Sequence, residues 1–234
     1  MLYIDIGNST IKVASYIDGS WQVDLRLPHD QLFSVIEWCS ERVAHDELFL
    51  AASVVSSIRI TMEQALGSAI RFIDVGSFPK EHINYKTPET LGIDRVLACY
   101  GAWSLSGTSV IVVDAGTATT IDYMNPDGVF EGGVIAPGLG SLEKALRIHA
   151  PALPVVERNV PASWPPKSTT EAVQWGITGS YKASVFSHIM RFLNLDPHAV
   201  LWISGGDADV LSQLEGLQTR FHPNLVLEGL RYCV

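Results

Sequence analysis

Residues Leu2-Tyr3-Ile4-Asp5-Ile6-Gly7-Asn8-Ser9-Thr10-Ile11-Lys12 run from a short apolar stretch through a carboxylate and a glycine into small amide and hydroxyl side chains. The same arrangement returns at Ile111-Val112-Val113-Asp114-Ala115-Gly116-Thr117-Ala118-Thr119-Thr120-Ile121-Asp122. Asp114 lies 109 positions after Asp5, and at that spacing Gly116 falls on Gly7 and Thr119 on Thr10. A buried strand that ends in Asp-x-Gly and turns back as a hairpin brings a carboxylate and free backbone N–H groups to one point. Such a point suits phosphate and a cation. Two of them predict a two-lobed, nucleotide-dependent phosphotransferase of the α/β class with mixed sheets.

The two copies differ. In the first, Gly7 lets backbone amides approach a phosphate closely, Asn8, Ser9 and Thr10 add donors, and Asp5 suits Mg²⁺ directly or through water. Lys12 supplies positive charge, unless it points outward from its strand. In the second, hydroxyls replace the lysine: Thr117, Thr119 and Thr120 are candidate phosphate donors, Asp114 a cation ligand, and Asp122 reads as a solvated strand residue. Between the copies, Leu91-Gly92-Ile93-Asp94-Arg95 sits at a loop-to-helix junction. Asp94 there is either a helix cap or a functional carboxylate, and Arg95 either keeps it ionised or binds an anionic substrate.

Around these motifs the pattern alternates strands and helices. Strands are expected at 2–6, 11–17 and 21–27, with a turn at Asp18-Gly19, and at 48–52 and 69–75. Helices are expected from 28 to 43, from 94 to 105, from 138 to 148 and, unbroken, from 170 to 193. A loop reaching towards a site is expected at 76–91, and an extended connector at 151–167, which holds five prolines. After the strand at 200–203, Gly205-Gly206 predicts a tight turn before another helix.

The 234 residues, 47% of them hydrophobic, suffice for a large core, and the repeat favours two domains, at 1–107 and 108–234. A net charge of −9 argues against nucleic acid as a partner, since backbone-phosphate affinity needs clustered Lys and Arg. No apolar stretch is long enough to span a bilayer, and the first residues lack the features of a signal peptide. Cys39, Cys99 and Cys233 fit neither a disulfide framework nor a zinc site. The expected setting is soluble, reducing and cytoplasmic.

Taken together, these motifs resemble the type III pantothenate kinases, a family within the superfamily of acetate and sugar kinases, heat-shock chaperone ATPases and actin. The resemblance rests on Asp5–Lys12, Tyr85 with Thr87-Pro88, Gly92-Ile93-Asp94-Arg95, Asp114–Thr120 and Gly132-Gly133-Val134-Ile135-Ala136-Pro137-Gly138. Ser168-Thr169-Thr170-Glu171-Ala172, Gly205-Gly206 and Pro223-Asn224-Leu225-Val226-Leu227-Glu228-Gly229-Leu230 extend it. Ile93 stands where alanine is common, and Ser9 where threonine also occurs.

The resemblance implies two ribonuclease H-like, actin-like ATPase lobes and transfer of the ATP γ-phosphoryl to pantothenate. It implies ATP contacts from Asp5, Ile6, Gly7, Asn8, Ser9, Thr10, Ile11, Lys12 and Thr117, and Mg²⁺ with the nucleotide. Asp114 would hold a monovalent cation, potassium or ammonium. Tyr85, Gly92, Ile93, Asp94 and Arg95 would bind pantothenate, with Asp94 as catalytic base. Thr169 would reach that site from the other subunit of a homodimer. The competing expectations are an ATP-binding regulatory protein that transfers nothing, and a kinase for another small polyol or acid.

Overall fold

A computed structural model describes residues 1–212, 214 and 216–233. The first apolar run forms β1 (Leu2–Ile6), which turns into β2 (Thr10–Ile17) and β3 (Ser20–Pro28). Asp18 and Gly19 both take positive φ at the β2–β3 turn, as the right-handed twist of a two-residue hairpin requires. A 3₁₀ turn at His29–Gln31 leads to α1 (Leu32–Val43), followed by β4 (Phe49–Ser53), α2 (Ser56–Leu66) and β5 (Ile70–Phe72). The strand order is β3-β2-β1-β4-β5, with β1 antiparallel to β2 and parallel to β4.

The second half repeats this plan. After α3 (Ile93–Ser106) come β6 (Val110–Ala115), β7 (Ala118–Met124) and β8 (Phe130–Pro137), then α4 (Leu139–His149), α5 (Thr169–Gln174) and α6 (Ser180–Leu195). Strands β9 (Val200–Ser204) and β10 (Thr219–Phe221) and the helix α7 (Leu225–Arg231) complete it. The order β8-β7-β6-β9-β10 matches the first sheet strand for strand.

Register corrects the sequence superposition at one point. Asp5 pairs with Lys12, seven residues on, whereas Asp114 pairs with Thr120, six residues on. The second hairpin is therefore one residue shorter. Thr119 occupies the place of Ile11, not Thr10, and Thr120 the place of Lys12. Ile11 and Thr119 are both fully buried, as shared position requires.

Three apolar layers follow from strand alternation. Ile4, Ile6, Val13 and Phe49 pack outward under α1 and α2. Ile111, Val113, Ile121 and Ile203 pack outward under α4–α6. Between the sheets, Tyr3, Ala14, Leu50, Val112 and Met124 form one layer with α3 and α7. Strands covered on both faces read as near-continuous apolar runs, which is why β1 and β6 were legible. Helices α3 and α7 approach backbone to backbone: a Cβ on Gly101 would lie 2.8 Å from the Gly229 nitrogen and 2.9 Å from Glu228 Cβ.

Two local expectations change, and the expected loop at 76–91 gains detail. The 170–193 helix contains a π-helical turn at Trp175–Gly179, where the Trp175 ring lies against Gly179. The segment after Gly205-Gly206 is a 3₁₀ turn at Ala208–Leu211 rather than an α-helix. The 76–91 segment is a chain of short 3₁₀ turns docked on β8: Asn84 N–H donates to the Phe130 carbonyl at 2.9 Å, and Asn84 Nδ2 to Glu131 at 2.6 Å.

Candidate active site

Because Tyr3 and Val112 face the central layer, so do Asp5 and Asp114, two residues further along β1 and β6. Asp94 stands in the first turn of α3, which runs between the sheets. Three carboxylates from three elements thus share one region, and they sense one another. Burial and then the charge of Asp5 push the Asp94 carboxyl up to about 6. Burial, followed by Asp5 and Asp94, pushes Asp114 up to about 7. Asp5 is also raised, chiefly by burial, with Lys12 opposing.

Lys12 is the basic side chain facing both Asp5 and Asp114, and burial pulls its pKa down. Its Nζ donates to the Pro223 carbonyl at 3.1 Å and to Asn224 Oδ1 at 3.3 Å, at the start of α7. It points into the protein, not to solvent. The acidic excess around it calls for further positive charge. Among the described residues no three His, Cys, Asp or Glu side chains come together as a metal cage. A cation here would need oxygen ligands from phosphate, backbone or water as well, which fits Mg²⁺ and its retained hydration.

The tips of the two hairpins meet. Ser9 Oγ and Thr117 Oγ1 are 2.8 Å apart, and both residues are exposed, as is Asn8. Each hairpin is braced from behind: His29 Nε2 donates to the Gly7 carbonyl at 3.0 Å, and Ser141 Oγ to the Thr117 carbonyl at 2.8 Å. Gly205, at φ +95°, passes so close that a Cβ would lie 2.5 Å from Asp114 Oδ1. The turn after β9 therefore closes over that carboxylate.

Not every residue of the motifs can offer a side chain. Ile6, Ile11 and Ile93 are buried in apolar layers, so only their backbone can face a ligand. Thr119 is turned into the second lobe, 2.9 Å from the Tyr181 hydroxyl. Asp94 Oδ1 accepts the Arg95 N–H at 2.9 Å, satisfying one of the unpaired donors of the first helical turn, while Gly92 is the capping residue. Gly92 and Ile93 line a cavity of about 900 Å³ with Ser53, Val54, Val75 and Leu91. The Tyr85 ring is tilted at 53° to that of Phe130, 6.1 Å away, and lies beside the Arg95 guanidinium.

Residues 1–191 match the family described as type III pantothenate kinase. The chain belongs to that family. A pantothenate kinase of this type from Dechloromonas aromatica is 32% identical over 98% of this chain and 96% of its own length. Another, from Desulfosudis oleivorans, is 40% identical over 64% of this chain and 59% of its own length. Among solved structures, a Baf-family protein from Campylobacter jejuni shares the fold at TM-score 0.68 and 24% identity, covering 100% of this chain and 96% of that one. A ROK-family protein from Streptococcus pneumoniae shares it at TM-score 0.50 and 12% identity, covering 98% and 96%. These likenesses show the fold, two mixed five-stranded sheets flanked by helices, and as a type III pantothenate kinase the chain is an ATP-dependent enzyme.

Thr169 stands apart from the carboxylates. It opens α5 on the rim of an apolar hollow of about 810 Å³ lined by Leu142, Leu146, Val173, Ile177 and Tyr181. Sequence reasoning overlooked His29, Ser141 and the Lys12–Asn224 contact. It also misjudged Asp122, which is 1% exposed and bound to Arg95. Asp122 pairs with Val112 across β6 and β7, and that register, which the sequence does not report, puts it on the face of Asp114.

Proposed function

We propose that this chain transfers the γ-phosphoryl group of ATP to the primary hydroxyl of pantothenate, giving 4′-phosphopantothenate, the first step of coenzyme A biosynthesis. The observation that carries the reading is the placement of Asp94, in the first turn of α3 between the sheets, beside the inward-facing Asp5 of β1 and Asp114 of β6. One carboxylate from the substrate element faces one from each phosphate hairpin. Asp94 accepts the hydroxyl proton as the oxygen bonds to the γ-phosphorus and ADP leaves. A carboxylate pushed up to about 6 is a stronger base than usual yet ionised at neutral pH.

The rest of the machinery positions and neutralises. Asp5 to Lys12 grip the phosphates, with amides and hydroxyls at Gly7, Asn8, Ser9 and Thr10, and Thr117 contacts them from the other side. Asp5 would hold Mg²⁺, which would offset phosphate charge. Asp114 holds potassium or ammonium. It stands opposite Thr120, where the first hairpin has Lys12, so an ion there replaces a missing ammonium. Tyr85 and Gly92 to Arg95 bind pantothenate.

The lobes of this reading are 1–107 and 108–234, supported by one five-stranded sheet in each. The enzyme works as a homodimer in which Thr169 reaches the partner's pantothenate site; the apolar hollow beside Thr169 supports this. No described helix is long and apolar enough to cross a membrane, and three free cysteines suit a reducing cytoplasm. The test is ATP consumption with pantothenate against a panel of sugars, with and without potassium. Turnover with a sugar and none with pantothenate would overturn the assignment.

A further inference from the structure

Strand β7 carries a buried carboxylate to which the reaction above gives no task. Asp122 lies on the face of the second sheet that meets α3. Its counterpart in the first sheet, by register, is Ala14: Ala14 pairs with Tyr3 as Asp122 pairs with Val112. Ala14 is fully buried too, so the layer packs at this position without a charge. Asp122 meets Arg95. The guanidinium Nε lies 3.1 and 3.2 Å from the two carboxylate oxygens, and Nη2 donates to Oδ1 at 2.5 Å.

The surroundings are shaped for this contact. Gly133 stands opposite Asp122 in β8, and a Cβ there would run into Asp122 Oδ1 and the Ile121 carbonyl. A Cβ on the neighbouring Gly132 would lie 3.5 Å from the Tyr85 ring. The Arg95 guanidinium carbon is 5.9 Å from the Tyr85 ring centre and 5.6 Å from that of Phe130. A guanidinium has five N–H donors in a fixed plane. The contact with Asp122 engages the Nε–H and one Nη2–H, which fixes that plane and leaves three N–H donors, two of them on Nη1, for other acceptors.

We propose that Asp122 is a positioning residue for the phosphoryl acceptor: it locks the Arg95 guanidinium in one orientation, so that the remaining donors meet the pantothenate carboxylate and the Tyr85 ring is held beside it. The proposal rests on reading Tyr85 and Gly92 to Arg95 as the pantothenate element. Buried ion pairs are poor sources of net stability compared with apolar packing, so a purely structural role does not account for a carboxylate where the other sheet has alanine.

Steady-state kinetics of three variants tests it. Asp122→Asn is expected to raise the KM for pantothenate about tenfold or more, while the KM for ATP stays within about twofold. Arg95→Met is expected to do the same, and Arg95→Met combined with Asp122→Asn to be no worse than Arg95→Met alone, because Asp122 acts through Arg95. If Arg95→Met raises the pantothenate KM and Asp122→Asn does not, or if the two effects multiply, the positioning role is overturned. If Arg95→Met leaves the pantothenate KM unchanged, the reading of the substrate element fails first and takes the proposal with it. Should Asp122→Asn not fold, Asp122→Glu keeps the charge and displaces the guanidinium. The same selective rise is then expected, and its absence overturns the proposal.

Discussion

Ser9 Oγ and Thr117 Oγ1 lie 2.8 Å apart, so the two Asp-x-Gly hairpins, one from each sheet, touch at their tips. The hydroxyls satisfy each other across the cleft. A triphosphate between them would replace one neutral hydrogen bond by two that are charge-assisted and therefore stronger. Thr117→Ala is expected to raise the KM for ATP about tenfold, a loss of roughly 1.5 kcal/mol, with the KM for pantothenate little changed. An unchanged KM for ATP would remove Thr117 from the nucleotide site.

Asp94→Asn is expected to fold and to bind ATP, while turnover falls about 10²–10⁴-fold. In the unaltered enzyme, activity should decline as pH drops through about 6, because protonated Asp94 cannot accept the hydroxyl proton. Near-normal turnover in the variant, measured with ATP binding intact, would exclude Asp94 as the base.

Asp114 gives a stability prediction with a definite sign. Its carboxyl, at about 7 in the folded protein, binds its proton more tightly than in an unfolded chain, where the ordinary value is 3.8. Stability from this group is complete below pH 4 and is lost as pH rises through 7. Asp114→Asn should therefore raise the ligand-free Tm at pH 8 and leave it nearly unchanged at pH 4, while weakening the response to potassium or ammonium. Melting curves across that range check it, and a lower Tm at pH 8 would contradict it.

Gly101→Ala addresses the layer between the sheets. The added methyl meets the Gly229 nitrogen and Glu228 Cβ of α7, and backbone cannot step aside as a side chain can. Overpacking of this kind costs about 1–3 kcal/mol, which lowers Tm by about 2–4 °C per kcal/mol in a chain of this size. An unchanged Tm would mean that α7 can move off α3 freely.

The strands, both hairpins and the central helix were legible because each obeys a local rule: apolar runs between covering helices, turn residues at Asp18-Gly19, and helical spacing from Val96 to Trp103. Asp5 and Asp114 were legible because the repeat marks them, whereas Asp94 lies between the copies and read equally as a helix cap until the family resemblance assigned it. What escaped depended on partners far along the chain. Lys12 finds Asn224, Asp122 finds Arg95, and Thr119 finds Tyr181. The one-residue difference between the hairpins also escaped, because aligned motif letters do not report which residues pair across strands.

The contact between Lys12 and the start of α7 has a consequence for how the protein is made. A chain emerges from synthesis with its amino end first. The first hairpin and its sheet appear early, yet the groups that hold Lys12 follow 211 and 212 residues later. Helix α7 must then insert beside β1 and α3 before Lys12 has its partners. Closure over so long a separation belongs to the slow class of folding events. On the reading proposed above, in which Lys12 meets the phosphates, nucleotide binding waits until synthesis has passed Asn224.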